Sequence, residues 1–378
     1  MTIYDPQVNV RSFVRDLVHA NIRHGMGGGT DLKVWVEIAV REKLRRDSVH
    51  IYPVGSESSP NMIFLEHDLA YFPKKNLVLQ WRMSSRSDIK KYQRTDSVPE
   101  SDLLLEPYVR ENTKATTFCV VHIPYDSNNV SDIGSTIPWS TDSEEGRKSS
   151  AVFVENLTQT TIMRPSKRDQ QRMVGPSDLA DTCNLCLARK LAALCGIPVD
   201  QPTRLFSHKA WLGTSIHEKL ETGLPLVYPR ESENGPRYHQ ELAVPIGTIR
   251  GLGDVHGHFD LYIRDSIVDY KSSDRYRIKM YQKDGVPNSH NGQTKLYLKG
   301  VNGCGQLGRY AVLVYIPRDS SDLSDIWVAS DSADEELADS LLGRAQRLTE
   351  MVRSGSISDL VPEQGCFVCT KQFRMPKR

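Results

Sequence analysis

The segment that most constrains the fold spans residues 251–271 and reads GLGDVHGHFDLYIRDSIVDYK. It contains two strand-like runs, 259–263 and 266–270, and the polar pair Arg264-Asp265 between them favours a tight turn. Ile267 and Val268 are adjacent and apolar, which indicates a strand covered on both faces. The segment therefore predicts a β-hairpin that lies inside a sheet with helices packed against it.

Three charged side chains occupy this hairpin, with Asp260 on the first run and with Asp269 and Lys271 at the end of the second. Because side chains alternate along a strand, Asp269 and Lys271 point to one side and Tyr270 to the other. Carboxylates paired across a hairpin repel each other unless a cation lies between them, and Mg²⁺ or Mn²⁺ prefers such oxygen ligands. A surface hairpin with scattered charges is the alternative, but a carboxylate at the end of a covered strand is costly without a partner.

These residues resemble a known pair of motifs. Gly257 and Asp260, followed by Asp269 and Lys271, are similar to the G-x-x-D and D-x-K motifs of PD-(D/E)XK nucleases, in the branch of RecB-like and Cas-four-like exonucleases. The resemblance implies a mixed α/β, restriction-endonuclease-like central sheet flanked by helices. It also implies a divalent ion held by Asp260, Asp269 and the backbone carbonyl of Tyr270, beside a catalytic lysine.

Two further motifs follow the order of the same branch. The run from Gly213 to His217 resembles its G-x-x-x-H motif, in which the histidine joins the metal site and favours Mn²⁺ alongside Mg²⁺. Glu221 lies one helical turn after His217 and is a candidate catalytic carboxylate. Gln293 and Tyr297 resemble the Q-x-x-x-Y motif, whose amide and phenol would contact the DNA strand.

Four of the seven cysteines form two C-x-x-C pairs, Cys183 with Cys186 and Cys366 with Cys369. Two such pairs supply the ligands of a tetrahedral thiolate site or of an iron-sulfur cluster. The first pair lies on a helix predicted from Ser177 to Leu194, where cysteines can also serve as small core residues. The resemblance favours a 4Fe-4S cluster, with structural Zn²⁺ as the alternative, because related nucleases carry such a cluster with one ligand upstream and three downstream of the core. The two-and-two arrangement departs from that pattern.

The net charge of +1 over 378 residues gives no overall attraction to nucleic acid, so DNA binding must depend on local patches. Arg275 and Arg277 alternate with tyrosines and suit a single-stranded path, with a solvated loop as the alternative. The basic linker 164–172 is either a solvated face or a contact to the DNA backbone. The absence of a basic-then-apolar leader and of a long apolar run predicts a cytoplasmic protein that does not bind a membrane.

The N-terminal part, 1–165, is predicted to be an additional α+β domain without a recognisable motif, and 166–378 to be the nuclease-like domain. The periodicity predicts helices over 11–23 and from Leu32 onward. Apolar runs predict strands over 50–54, 62–65, 77–81, 103–109, 116–122 and 151–163, with a long polar loop over 126–150. No Walker-type phosphate loop occurs, so the chain is not expected to be a helicase by itself.

The expected function is that of a metal-dependent DNA exonuclease that acts on single-stranded or end-containing DNA, with a helicase or recombinase as a possible partner. A structure- or sequence-specific endonuclease is the first alternative. A non-catalytic DNA-binding accessory protein of recombination is the second.

Overall fold

The computed structural model describes residues 15, 19, 32–51, 62–127, 129–141, 143–163, 173–199, 208–227, 238–320, 322–366 and 368–369. Within these residues the chain forms two five-stranded mixed sheets flanked by helices, which confirms the predicted mixed α/β class. The predicted first helix, apart from the helical Arg15 and His19, and the basic linker lie outside the described residues, as does most of the predicted strand 50–54.

The N-terminal sheet follows helix α1 (Leu32–Ile51), which begins where the periodicity predicts. Its strands lie side by side in chain order: β1 (Ile63–Phe64), β2 (Ala70–Phe72), β3 (Leu77–Ser84), β4 (Thr117–Pro124) and β5 (Gly134–Ser140). The β3 and β4 strands are parallel and the other neighbours are antiparallel. The remaining helices are α2 (Arg86–Thr95), α3 (Glu100–Leu103) and α4 (Glu106–Asn112) between β3 and β4, and α5 (Glu144–Met163) after β5.

Three predictions in this region were wrong. The predicted strand 103–109 forms the end of α3 and most of α4, and the proline next to Glu106 fits the first turn of that helix. The predicted loop 126–150 contains β5 and the start of α5. The predicted strand 151–163 belongs to α5, where Val154, Leu157 and Thr161 are buried at helical spacing. Its β-branched residues favour a strand locally, but packing against the sheet decides for a helix.

The C-terminal sheet has the strand order β10-β9-β8-β7-β6. Its strands are β6 (Tyr238–Ile249), β7 (Gly253–Ile263), β8 (Ser266–Ser273), β9 (Tyr310–Pro317) and β10 (Trp327–Ser332). The β8 and β9 strands are parallel and the other neighbours are antiparallel. The helices are α6 (Pro176–Leu179), α7 (Asn184–Leu194), α8 (His208–Val227), α9 (Arg275–Asp284), α10 (Asn288–Gly303) and α11 (Glu335–Arg353).

The predicted hairpin is present, because β7 and β8 are joined at Arg264-Asp265 and Arg264 takes a positive φ of 58°. The single helix predicted from Ser177 to Leu194 was wrong. The chain leaves the helix after Leu179, and α7 restarts with Cys183 as its N-cap.

The two sheets share a hydrophobic core in which α1 and α8 participate. Trp35 and Val40 of α1 are buried there together with Trp211 and Ile216 of α8. A second cluster packs α7 and α11 onto the C-terminal sheet. Among the described residues, no helix has the length and apolarity that crossing a membrane requires.

Candidate active site and cysteine cluster

Asp260 lies where the β7–β8 ladder stops. The last pair of that ladder is Leu261 with Val268, and the same register would next place Asp260 opposite Asp269. Instead, the backbone N–H of Tyr270 donates to Asp260 Oδ2 at 2.6 Å, and His217 Nδ1 lies 3.1 Å from Oδ1. Although burial favours the neutral acid, the charge and hydrogen bond of His217 lower the pKa of Asp260. Asp260 is therefore held as a carboxylate.

Asp269 is 4% exposed, and its two partners are both side chains. Lys271 Nζ lies 2.7 Å from its Oδ2 as a buried ion pair. Gln293 Nε2 is 3.4 Å from Oδ1, a long contact. Burial raises the pKa of Asp269, and the neighbouring Asp260 adds to the shift against the opposing effect of Lys271. The two carboxylates therefore differ in their preference for a proton.

Gln293 connects the lysine to the phenol of the last motif. Lys271 Nζ donates to Gln293 Oε1 at 2.8 Å, and Gln293 Nε2 donates to Tyr297 Oη at 2.8 Å. Gln293 is buried on α10, one helical turn before Tyr297. The structure thus forms two neighbouring groups, Asp260 with His217, and Asp269 with Lys271, Gln293 and Tyr297. They meet at the backbone N–H of Tyr270, which directly follows Asp269 and donates to Asp260.

Two glycines explain why the motifs have their spacing. A Cβ at Gly213 would lie 2.9 Å from Ser272 Oγ, so α8 and β8 approach closely at this turn. His217 follows one turn later and reaches Asp260. A Cβ at Gly257 would lie 2.8 Å from Tyr297 Cε1 and 2.7 Å from a methyl carbon of Ile246, so this glycine makes room for the α10 side chain.

The side chains of this site are of the chemical types that bind a divalent cation. Asp260, Asp269, His217 and the carbonyl of Tyr270 are oxygen and imidazole donors of the type that Mg²⁺ and Mn²⁺ accept. The buried Asp269 Oδ2 lies 2.7 Å from the ammonium of Lys271, so this oxygen already faces a cation. His217 and Lys271 lie beside the two carboxylates, and although burial opposes it, the charge of Asp260 raises the pKa of His217.

Three predicted site residues lie apart from this group. Glu221 is exposed, and its backbone carbonyl accepts a hydrogen bond from Gln240 Nε2 at 3.1 Å. Arg275 is exposed at the start of α9, where its Nε lies 3.1 Å from Asp325 Oδ2 and its backbone N–H donates to Asp319. Arg277 is exposed on the same helix.

Sequence reasoning missed His290, which lies on α10 one turn before the Gln293–Tyr297 pair. Its Nδ1 is 2.9 Å from Tyr315 Oη, and burial, with the charge of Lys271, lowers its pKa to about 4. A neutral imidazole therefore borders the lysine. Only the i, i+3 spacing to Gln293 could have indicated it.

The four cysteines of the two C-x-x-C pairs meet although the pairs are far apart in sequence. Cys183 Sγ is 3.8 Å from Cys369 Sγ, and Cys186 Sγ is 3.5 Å from the sulfurs of Cys366 and Cys369. Among the described residues they form the only group of three or more potential ligand side chains with all donor atoms within 4.8 Å. Although burial opposes it, hydrogen bonds from the backbone at Glu363 and Cys186 lower the pKa of Cys183. The group has the composition of a metal site.

Comparisons with known proteins give no family assignment. No family model matches the chain, and no curated protein matches it. Among solved structures, the alkaline exonuclease LHK-Exo from Laribacter hongkongensis has a TM-score of 0.35 and 13% identity, covering 51% of this chain and 93% of that one. Its complex with dAMP gives a TM-score of 0.32 at 13% identity over 50% and 91% of the two chains. The structure of SSO0001 gives 0.31 at 18% identity over 52% and 80%. Similarity this low carries no statement about activity.

Proposed function

We propose that this chain is a metal-dependent DNA nuclease that acts as an exonuclease on single-stranded or end-containing DNA. The observation that carries the proposal is the convergence of Asp260, Asp269 and Lys271 at the end of the β7–β8 ladder. Buried carboxylates whose pKa values shift in opposite directions, next to a lysine, mark a reactive site more often than a structural strand end. The motif resemblance supports the same reaction.

Each residue then has a distinct role. A divalent ion at Asp260, Asp269, His217 and the Tyr270 carbonyl would activate water and neutralise the scissile phosphate. Although burial opposes it, His217 and, to a smaller extent, the Tyr270 N–H lower the pKa of Asp260, so this carboxylate is ready to bind without first losing a proton. Gln293 holds the ammonium of Lys271 at 2.8 Å beside Asp269, where it stabilises negative charge in the transition state.

DNA binding would depend on local groups, because the net charge of +1 provides no general attraction. Gln293 and Tyr297 would position the strand at the reactive centre. On α9, Tyr276 is 74% exposed next to the exposed Arg277, which offers a ring for a base and a cation for a phosphate. Arg275 contributes indirectly, because its ion pair with Asp325 holds the loop after β9. A helicase or recombinase would supply single strands from duplex DNA.

For the cysteine cluster we propose a single tetrahedral ion, Zn²⁺ or iron, in place of the 4Fe-4S cluster. Ligands at about 2.3 Å from a tetrahedral ion are about 3.8 Å apart. Three of the six Sγ separations are 3.5 to 3.8 Å, and all six are within 4.8 Å. Four thiolates on four different irons of a cubane must lie roughly 6 Å apart or more. Absorbance near 400 nm, roughly where thiolate-to-iron transitions fall, together with metal analysis distinguishes the three centres.

Activity is tested by incubating the full chain and Mn²⁺ with end-labelled linear and with circular single-stranded DNA. Loss of the linear substrate alone is expected for an exonuclease. Cutting of circles would identify an endonuclease, and binding without cutting would identify an accessory protein. Lys271→Met should abolish cleavage, whereas Asp284→Asn, which changes an exposed carboxylate on α9, is the matched control.

A further inference from the structure

The N-terminal half repeats the architecture of the half that holds the candidate active site. Over the described residues, each half runs helix, three antiparallel strands, crossover helices, a parallel strand, a 3₁₀ turn, an edge strand and a long helix. The parallel pair, β3–β4 in one half and β8–β9 in the other, occupies the same place in each strand order. The resemblance between the halves is therefore one of topology and not only of secondary-structure content.

Strand registers give a residue-by-residue correspondence. In the N-terminal sheet Leu77 to Ser84 pair with Thr117 to Pro124, and in the C-terminal sheet Ser266 to Ser273 pair with Tyr310 to Pro317. Both hairpins before these strands lose their pairing at the same point, after Ala70–Leu79 and after Leu261–Val268. The registers make four N-terminal residues equivalent to residues of the C-terminal half: Leu69 to Asp260, Gln80 to Asp269, Arg82 to Lys271 and His122 to Tyr315.

The loop after the parallel strand repeats in sequence and in hydrogen bonding. Residues 123–133 read IPYDSNNVSDI and residues 316–326 read IPRDSSDLSDI. The Ser127 hydroxyl donates to Asp132 and accepts from the Asn129 N–H, and the Ser320 hydroxyl makes the same two contacts with Asp325 and Asp322. The first arginine of the crossover helix closes each loop, because Arg86 pairs with Asp132 at 3.0 Å and Arg275 with Asp325 at 3.1 Å.

The helices before the two sheets also correspond. Residues 33–44 read KVWVEIAVREKL and residues 209–220 read KAWLGTSIHEKL, which puts Arg41 at the position of His217. The helices α1 and α8 pack against each other in the shared core. Lys43 Nζ lies 2.7 Å from Glu218, and Lys219 Nζ lies 3.0 Å from Glu42. Lys43 and Lys219 are counterparts, and each binds the glutamate that directly precedes the other lysine. This reciprocal pairing is expected for two copies related by a two-fold axis.

We propose that the two halves are copies of one fold joined as an internal dimer, and that only the C-terminal copy holds a divalent ion. The correspondence of the halves does not depend on the proposed nuclease activity; the location of the ion does. In the N-terminal copy the positions of Asp260, Asp269, Lys271 and His217 carry Leu69, Gln80, Arg82 and Arg41, in that order. The N-terminal half thus serves as the partner subunit that packs α1 against the helix carrying His217.

The N-terminal copy carries guanidinium groups at the positions of Lys271 and His217. Arg82, at the position of Lys271, donates to Gln80 Oε1 at 3.0 Å and lies 3.4 Å from Asp102, a buried carboxylate on the crossover helix α3. Arg41, at the position of His217, pairs with Glu37 at 2.8 Å. With Leu69 and Gln80 in place of the two aspartates, and with Asp102 already paired with Arg82, no carboxylate described at these positions of the N-terminal copy needs a metal for charge balance.

The internal dimer is tested by charge exchange in the full chain. Lys43→Glu and Glu218→Lys should each lower the thermal midpoint by a few degrees, and the double variant should regain most of the loss. The symmetry-related pair Glu42→Lys and Lys219→Glu should behave the same way. The milder Lys43→Gln and Glu218→Gln serve where a reversal prevents folding. Additive effects within either pair would overturn the reciprocal interface, and Lys148→Glu, in an exposed pair with Glu144 on α5, is the control.

The single ion site is tested by Mn²⁺ titration followed by electron paramagnetic resonance. The wild type should bind Mn²⁺, and Asp260→Asn with Asp269→Asn should lose all of it, while Asp102→Asn should keep it. Mn²⁺ that survives the C-terminal pair of substitutions and disappears with Asp102→Asn would overturn the proposal. If the wild type binds no Mn²⁺, the ion site and the proposed function both fail, and the charge exchange still decides whether the halves form an internal dimer.

Discussion

The two halves hold the same polar groups on different elements. In the C-terminal half the acid, Asp269, is on the strand and the amide, Gln293, is on the crossover helix. In the N-terminal half the amide, Gln80, is on the strand and the acid, Asp102, is on the crossover helix. In both halves the residue two positions further along the strand, Arg82 or Lys271, is a cation that contacts both the acid and the amide.

The exchange changes how well the buried acid is satisfied. Asp102 accepts from Thr136 Oγ1 at 2.7 Å, and His122 Nε2 lies 3.0 Å away. Burial alone would raise the pKa of Asp102, but the hydrogen bond and charge of His122 lower it. The pKa of Asp269 is instead raised by burial. Asp102 is held as a carboxylate by its donors and is structural, whereas burial disfavours the charge of Asp269, which keeps a binding capacity at the expense of stability.

The largest expected effect is on catalysis by the C-terminal copy. Asp269→Asn removes a charged ligand of the proposed ion and should lower Mn²⁺-dependent cleavage about ten-thousandfold, about 5.5 kcal/mol in transition-state stabilisation. The thermal midpoint should change little, because the loss of the ion pair with Lys271 and the removal of the cost of burying the Asp269 charge act in opposite directions. Single-turnover assays on end-labelled DNA measure the first effect and calorimetry the second. Cleavage within tenfold of wild type would contradict the role of Asp269.

Removing the metal from the cysteine cluster should affect stability in the C-terminal copy alone. Cys186→Ser breaks a cross-link between the first turn of α7 and the segment after α11, and should cost about 4 kcal/mol, since closing a long loop is worth roughly that much. A strong thiol-competitive chelator should lower the midpoint of the wild type by a similar amount. Cys304→Ser, at an exposed cysteine outside the cluster, is the matched control. An unchanged urea midpoint with chelator would show that the cysteines hold no stabilising ion.

The corresponding acid of the N-terminal copy should matter for stability and not for chemistry. Asp102→Asn leaves Arg82 and His122 without their carboxylate and should cost about 3 kcal/mol in the free energy of unfolding. Cleavage per folded molecule should stay within twofold of wild type. Urea denaturation and active-site-normalised rates are the measurements. A loss of rate as large as that of Asp269→Asn would mean that the N-terminal copy takes part in the reaction.

The pH dependence of stability follows from the lowered pKa of Asp102. A carboxyl group with a lower pKa in the folded state stabilises the fold above its unfolded pKa, near 3.9. That contribution disappears as the pH falls through the folded pKa. The urea midpoints of wild type and Asp102→Asn should therefore converge below about pH 4 and differ by a constant amount near neutral pH. A difference that persists unchanged to pH 3 would mean that the effect of the substitution is not electrostatic.

The sequence predicted the hairpin with Asp260, Asp269 and Lys271 because strand alternation and a turn at Arg264 are local properties. It also placed Gln293 and Tyr297 on one helix. It missed the break before Cys183, because the apolar spacing continues across residues that the chain uses to cap α7.

The duplication was missed for a different reason. The matching segments are short and separated by insertions, and the β-branched residues of α5 gave the N-terminal half a different predicted order of elements. The repeated IPxDSxxxSDI pattern and the similar segments 33–44 and 209–220 were the signals visible without a structure. Only the strand registers show that Gln80 and Asp269 occupy the same position.

The smallest expected effect is also the most direct test of equivalence. Ser127→Ala and Ser320→Ala each remove a hydroxyl that donates to an aspartate and accepts from a backbone N–H two residues later. Each should cost about 1 kcal/mol, the usual net value of such hydrogen bonds. Because the two loops make the same contacts, the costs should agree within about 0.5 kcal/mol and add in the double variant. Ser87→Ala, at an exposed serine of α2, gives the background. If one substitution lowers the free energy of unfolding strongly and the other does not, the two loops contribute differently to stability despite their similar geometry. The correspondence would then be limited to the backbone.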